Sequence, residues 1–345
     1  MTSTTIEPQR SYGVTILATL AVIGALFYGR IFLVPIALAL LLSVLLRPIV
    51  RGFERIHFPT TLGAAIVVLT LFGGLIGAGF AAADPVKEWM TEAPATLKAA
   101  KAKLASVRHS IERVSKAAAD LGESGSTPAA PASVPPMFSS LFGSTTALIA
   151  GIFEVLLLLF LLLASGDLFL QKLVEAIPLL KDKKAAVGIT KQVQQAVNRY
   201  LSTTLLINIG QGTVVTLALW GLGLPSPWIW GILTIFLEFI PYLGAAFMIG
   251  LLSVAAFGHF TDTLHIILVP FTYLTIATIQ NNLVSPIAYG QRLKLNPVAV
   301  LVGVLFWWFL WGVAGAFLAV PFIATLKIFA DHKPNLAGVA MFLGE

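Results

Sequence analysis

Apolar residues in this chain come in long blocks, and sparse polar residues punctuate them. Residues 14–29 and 31–46 are two such blocks, with Arg30 standing alone between them. A single helix of about thirty residues would run roughly 45–50 Å, against a hydrocarbon core of about 30 Å. The pattern therefore predicts two spans joined tightly near residues 28–30. The alternative is one long tilted helix with Arg30 snorkelling to the interface. Residues 61–83, 145–164, 201–222 and 264–283 are further span-length blocks. The first of these carries Gly63, Gly73, Gly74, Gly77 and Gly79, small residues that let helices approach closely in lipid. The fifth span carries Asn208 and Gln211, three residues apart and hence on one helical face. The sixth ends in Gln280, Asn281 and Asn282.

Two blocks do not fit a simple span. Residues 227–257 contain Glu238, Pro241 and Gly244, and residues 298–328 contain Trp311-Gly312-Val313-Ala314-Gly315 with Pro321 beyond. As straight helices each would be roughly 45 Å long. Pro241 also removes an intrahelical hydrogen bond and clashes with the carbonyl of Leu237. Two short arms joined at 240–244 fit better. Freed backbone groups at membrane depth are tolerated only inside protein or beside water, so such a break should not face lipid.

One segment differs in kind. Leu97, Leu104, Val107, Ile111, Val114, Ala118 and Leu121 recur at heptad-like steps, which predicts an amphipathic helix. It packs on its own subunit or on a neighbouring one. Residues 122–136 (GESGSTPAAPASVPP) are a linker by composition. The predicted organisation is thus three N-terminal spans (1–83), an extracytoplasmic amphipathic helix and linker (84–144), a fourth span with a cytoplasmic helix (145–204), a transport core with two hairpins (205–330) and a cytoplasmic tail (331–345). The fold expected is all-α and polytopic, with about six full spans.

Composition agrees. Of 345 residues 57% are hydrophobic and 11% charged, where soluble domains average about 25% charged. The net charge of +6 is scattered and excludes a nucleic-acid surface. Basic residues mark cytoplasmic loops instead: Arg47, Arg51 and Arg55; Lys172 through Arg199; Arg292 and Lys294; Lys327, His332 and Lys333. Counting crossings from a cytoplasmic N-terminus, Arg292 and Lys294 fall inside only if residues 227–257 turn back rather than cross. This favours two hairpins entering from opposite faces, with both termini cytoplasmic and the chain in the cell (inner) membrane. The first apolar run has no small-residue cleavage pattern after it and reads as a retained span. No cysteine is present, so disulfide and thiol chemistry are excluded. No phosphate-binding loop ends in Lys-Ser/Thr, and no Ser/His/Asp or metal constellation stands out. No enzyme, cofactor or metal site is expected.

Several motifs together resemble the AI-2E family, the autoinducer-2 exporter-like permeases. They are G-L-G-L-P-S-P-W-I-W-G at 221–231, E-F-I-P-Y-L-G at 238–244, N-N-L-V-S-P-I-A-Y-G at 281–290, L-N-P-V-A-V-L at 295–301 and G-V-A-G-A-F-L-A-V-P at 312–321. The likeness covers most of residues 150–330, and the N-terminal spans match in hydropathy alone. Ala245 departs from the family's frequent Pro after the glycine of the I-P-x-x-G element. The resemblance implies a multi-span permease with two helical hairpins, a homo-oligomer (pentamers are associated with the family) and an elevator-type movement. It also implies export of autoinducer-2 or sodium (lithium)/proton antiport.

The residues themselves point the same way. A polar group deep in a membrane is costly and usually faces a pathway or a partner. Glu238, just before the break, is the first candidate for binding a cation, a proton or a solute hydroxyl; a structural hydrogen bond or an interfacial position would explain it equally well. Asn281 and Asn282 offer neutral donors and acceptors, or cap a helix end. Asn208 and Gln211 line the same cavity or make interhelical hydrogen bonds. Pro241, Tyr242 and Gly244 would shape one hairpin tip, and Gly312 and Gly315 the other or a close-packed turn. Broken helices at the midplane are a common way for transporters to bind ions and small solutes. Glu154 ranks lower. The expected partners are the bilayer, a small polar solute, and H+ or Na+ as coupling ion. The third reading is a non-transporting scaffold assembled through residues 96–121.

Overall fold

A computed structural model describes residues 12–85, 87, 145–166, 180–289, 295–333 and 336–344. The predicted amphipathic helix and linker, and the loop with Arg292 and Lys294, lie outside the described residues. Apart from one isolated bridge between Leu295 and Gly344, the described elements are helices. The protein is an all-α polytopic membrane protein. Five described helices are long and apolar enough to cross a membrane: Arg30–Arg55, Thr60–Pro85, Val187–Gly221, Thr263–Tyr289 and Pro297–Asp331.

The chain divides into two compact units, residues 1–68 with 153–198 and 294–345, and residues 69–152 with 199–293. In the first unit, α1 (Tyr12–Tyr28) and α2 (Arg30–Arg55) are separated at Gly29, whose ψ of 2° departs from the helical value. The interruption falls where the lone Arg30 predicted one. The first part of α3 (Thr60–Pro85) and the second part of α4 (Thr145–Ala164) also belong to this unit. Arg47 is buried on α2, and its Nη1 donates to the carbonyl of Leu163 at 2.9 Å, at the end of α4. The last carbonyls of a helix lack intrahelical partners and carry partial negative charge, so a guanidinium is well placed there.

α10 (Pro297–Asp331) carries the second predicted break. Gly312 has φ 62° and ψ −141°, outside any helical region. The two arms on either side fold back on one another. The Trp307 and Phe322 rings lie 4.4 Å apart, and a Cβ on Gly303 would stand 3.0 Å from Ile323 Cγ1. In a straight helix residues 303 and 323 would be roughly 30 Å apart. Leu26 and Phe27 of α1 pack beside the turn: Trp311 Nε1 donates to the Leu26 carbonyl at 2.9 Å, and Phe27 stacks on Phe309. The segment read as a tail carries a further helix, α11 (Ala337–Leu343), whose Leu343 is buried against Ala299 and Ile323.

The second unit holds most of α5 (Leu180–Gly221), then α6 (Pro227–Leu237), α7 (Leu243–His259) and α8 (Thr263–Ile279). The glycine- and proline-rich turn after α5 uses left-handed conformations at Gly223 and Ser226. α8 runs into a π-helical turn, Gln280–Val284, and a short helix α9, Ser285–Tyr289. Such π turns are rare and frequent at functional sites. The core of this unit joins Val215 and Leu219 of α5, Trp230 of α6, Met248, Leu252, Ala255 and Ala256 of α7, and Val269, Tyr273 and Ala277 of α8. Lipid tails are as apolar as these side chains, so tight packing and interhelical hydrogen bonds, rather than water exclusion, hold such helices together.

Candidate functional site

The break between α6 and α7 falls at residues 238–242, starting two residues before the expected 240–244. Its geometry follows from Pro241. With no N–H at 241, the Leu237 carbonyl accepts from Ile240 at 2.9 Å, three residues on, and Phe236 accepts from Phe239 at 3.3 Å. This tightening leaves the Ile235 carbonyl without a helical donor, and Asn208 Nδ2 supplies one at 3.1 Å. Tyr242 then takes φ 63° and ψ −48°, and the Leu243 amide donates across it to the Pro241 carbonyl at 2.7 Å. That is a γ-turn of the rare, strained hand. Strain of this kind costs about 1–3 kcal/mol and persists where the surroundings enforce it. Gly244 is buried, and a Cβ there would overlap the Leu237 carbonyl, so no larger residue can close the turn.

Glu238 ends α6 at this break. Its Oε1 accepts from Tyr273 Oη at 2.6 Å and from Gln211 Nε2 at 3.2 Å. Three helices thus converge on one carboxylate oxygen. Tyr273 is 0% exposed, Asn208 1% and Gln211 5%, while Glu238 itself is half-buried. Gln211 Oε1 is buried with no hydrogen-bond partner. Both donors reach Oε1 and leave acceptors behind, so the unused capacity of this site suits a cation or a hydrogen-bond donor.

The structure brings Glu238, Gln211 and Asn208 together with the tip residues Pro241, Tyr242 and Gly244. It does not add Asn281 or Asn282 to the contacts of Glu238. Both are exposed in the π turn, and Asn282 Nδ2 folds back onto the Thr278 carbonyl at 2.8 Å. The buried side chain of that turn is the neighbour, Gln280, whose Nε2 donates to Ser285 Oγ at 2.9 Å and whose Oε1 is unpartnered. Gly312 and Gly315 form the turn of α10, in the other unit. Glu154 lies on α4, half-buried. Sequence reading missed Tyr273 and Gln280. The available signal was their seven-residue spacing, which places them on one face two turns apart. Val269, Tyr273, Ala277 and Gln280 are the buried stripe of this segment.

A carboxylate at a broken helix, held by neutral polar groups from two further helices inside an apolar bundle, defines a polytopic membrane protein of the transport class. The chain belongs to the AI-2E transporter family: the model of that family, described as AI-2E family transporter, matches residues 16–335. It is similar to the AI-2 transport protein TqsA of Escherichia coli K12, at 25% identity over 320 residues, 91% of this chain and 89% of TqsA. YueF of Bacillus subtilis is 25% identical over 308 residues, 86% of this chain and 82% of YueF. A protein of Borreliella burgdorferi is 28% identical over 212 residues, 60% of this chain and 56% of that protein, so the chain spans about half the length of this relative.

Proposed function

We propose that this protein is a permease that exports a small polar solute, with autoinducer-2 as the leading candidate, by facilitated or ion-coupled alternating access. The observation that carries the proposal is Glu238 at a strained helix break, held by Tyr273 and Gln211 within an apolar core. Glu238 itself is half-buried, and an ionisable group within a membrane-spanning region is usually kept for a pathway. The family membership and the name of TqsA support the solute class. The fold-back of α10 and the break of α6–α7 support two re-entrant hairpins in a cell (inner) membrane protein with cytoplasmic termini. A homo-oligomer, pentameric by family resemblance, is the expected assembly.

A carboxylate can also exchange a proton for a cation, so sodium (lithium)/proton antiport is the second reading, supported by the bare acceptor of Gln211 beside Glu238. The test uses sealed proteoliposomes. Autoinducer-2 flux that Glu238→Gln abolishes supports the permease. A pH change on adding sodium without solute, lost in the same variant, supports the antiporter. Flux of either kind that persists in Glu238→Gln removes Glu238 from the mechanism. No flux of any solute or ion would favour a scaffold.

A further inference from the structure

The buried faces around Glu238 are chemically lopsided. On α5 one face reads Thr204, Asn208, Gln211, Val215, Leu219 at helical steps of four, three, four and four residues, all buried. From Thr204 to Gln211 it is polar, after Gln211 it is apolar, and before Thr204 it continues with the buried apolar Leu201 and Val197. On α8 the buried face reads Val269, Tyr273, Ala277, Gln280. Tyr273 stands level with Gln211 through Glu238, while Tyr289, beyond the π turn, stands level with Thr204. The two segments therefore run in opposite senses, and the polar half of each lies on the same side of Glu238. On the far side, Val215, Leu219 and Val269 belong to the dry core with Met248 and Leu252. The hydroxyls of Thr234 and Ser253 bond carbonyls of their own helices, whereas that of Thr204 bonds both the Tyr200 carbonyl and Tyr289 Oη.

The polar half carries two bare acceptors. Gln211 Oε1 and Gln280 Oε1 are both buried, on side chains 5% and 8% exposed, without a protein donor. An unmet buried acceptor costs about 1–3 kcal/mol, and such groups normally hold ordered water or a ligand. At the end of the polar stretch away from Glu238, Tyr289 Oη and Thr204 Oγ1 are hydrogen-bonded at 2.7 Å, and the Tyr289 ring stacks on Tyr200 at 6.0 Å. Thr204 Oγ1 also donates to the Tyr200 carbonyl at 2.7 Å, which fixes the pair at this end of the polar stretch.

We propose that Thr204, Asn208 and Gln211 of α5, with Gln280, line an access lane by which water and a small hydrogen-bond-donating solute reach Glu238, and that Tyr289, held by Thr204 and Tyr200, is its gate. The inference rests on the proposed role of Glu238 and adds a side and a route. The lane opens toward the end of α5 that carries Lys191 and Arg199, the cytoplasmic end by the distribution of basic residues. Its lining is amide and hydroxyl, which suits neutral solutes with donors to offer. Asn208 is a positioning residue as well, since it holds the Ile235 carbonyl.

The chain has no cysteine, so single cysteines can be read without background. Thr204→Cys, Asn208→Cys, Gln280→Cys, Val215→Cys and Leu219→Cys are each made in the full chain and in Tyr289→Phe and Tyr289→Ala backgrounds. Each protein is checked for monodispersity and reconstituted. A small, membrane-impermeant methanethiosulfonate cation is then added from either face. Modification at 204, 208 or 280 is expected from one face only. At 208 and 280, where Thr204 is intact, the rate should rise about fivefold in Tyr289→Phe, the effect of one lost hydrogen bond, and further in Tyr289→Ala. Positions 215 and 219 should stay inert throughout. Equal modification at 215 and 219, or lane positions that neither Tyr289 variant accelerates, overturns the proposal. Using three lane positions keeps the test informative if one variant misfolds. Accessibility is read without transport. An accessible lane in a protein without flux therefore sinks the permease reading alone, and an inert lane with flux intact sinks the lane alone.

Discussion

Gly212 and Gly231 set the distance between α5 and α6, and through it the geometry around Glu238. A Cβ added at Gly212 would lie 2.6 Å from the Gly231 carbonyl oxygen and 2.6 Å from Ile235 Cγ1. Ordinary van der Waals contact begins near 3.4 Å, so Gly212→Ala must widen the crossing by about 0.8 Å, as a clash of this kind is relieved by backbone shifts. The same crossing holds Asn208 Nδ2 at 3.1 Å from the Ile235 carbonyl and Gln211 Nε2 at 3.2 Å from Glu238. Widening takes both to about 4 Å, beyond hydrogen-bonding range. Overpacking costs about 1–3 kcal/mol, and each interhelical hydrogen bond in a membrane contributes about 0.6 kcal/mol. Replacing a helical glycine by alanine returns about 1 kcal/mol. The net loss expected for Gly212→Ala is about 1–3 kcal/mol, with solute flux falling in step because Glu238 loses its Gln211 donor. The control is Gly210→Ala on the same helix, exposed and with nothing within 4 Å of its Cβ, which should be neutral or slightly stabilising. Thermal unfolding in detergent and flux in proteoliposomes read the two effects. If Gly212→Ala matches Gly210→Ala in both, the close crossing does not position the site.

The turn in α10 gives a second prediction. Gly312 at φ 62° and ψ −141° occupies a region essentially reserved for glycine, so Gly312→Ala should cost about 1–3 kcal/mol and lower the unfolding temperature, whereas Gly338→Ala, with open space at its Cβ, should not. At the start of α8, Asp262 caps the helix by accepting from the His265 amide at 3.0 Å and from His265 Nδ1 at 2.7 Å. The hydrogen bond from the His265 side chain, aided by that from its amide, holds the Asp262 carboxyl below the usual carboxylate range. A carboxyl lowered in the folded state stabilises above its ordinary value and loses that contribution as pH falls through the lowered one. The protection of amides in the first turn of α8, taken relative to unstructured peptide at the same pH, should therefore fall on acidification below about pH 4, and Asp262→Asn should flatten that dependence.

Much of the architecture was legible in the linear pattern. The interruptions at Pro241 and Gly312 were visible because proline and glycine act locally: one lacks a donor, the other tolerates positive φ, whatever surrounds them; that at Gly29 was visible from block length and the lone Arg30. The span-length helices followed from block length, and the shared face of Asn208 and Gln211 from a three-residue step. The surroundings of Asn281 and Asn282 were not legible in this way. At the π turn Gln280–Val284, Gln280 continues the buried stripe of Tyr273 and Ala277 while the two asparagines are exposed.

What the sequence determined by itself is therefore a set of helices, their breaks, and the polar residues that each must hide. Only the tertiary structure decided that Gln211 and Tyr273 hide theirs against Glu238, that Asn208 serves the carbonyl freed by the Pro241 break, and that the arms of α10 fold back across Gly303 and Ile323. Spacing along a helix specifies which side chains share a face, and nothing in it names the facing helix. That choice depends on how closely backbones can approach, as at Gly212 and Gly231, and on donors and acceptors meeting across gaps of about 3 Å, which many distant residues must jointly satisfy.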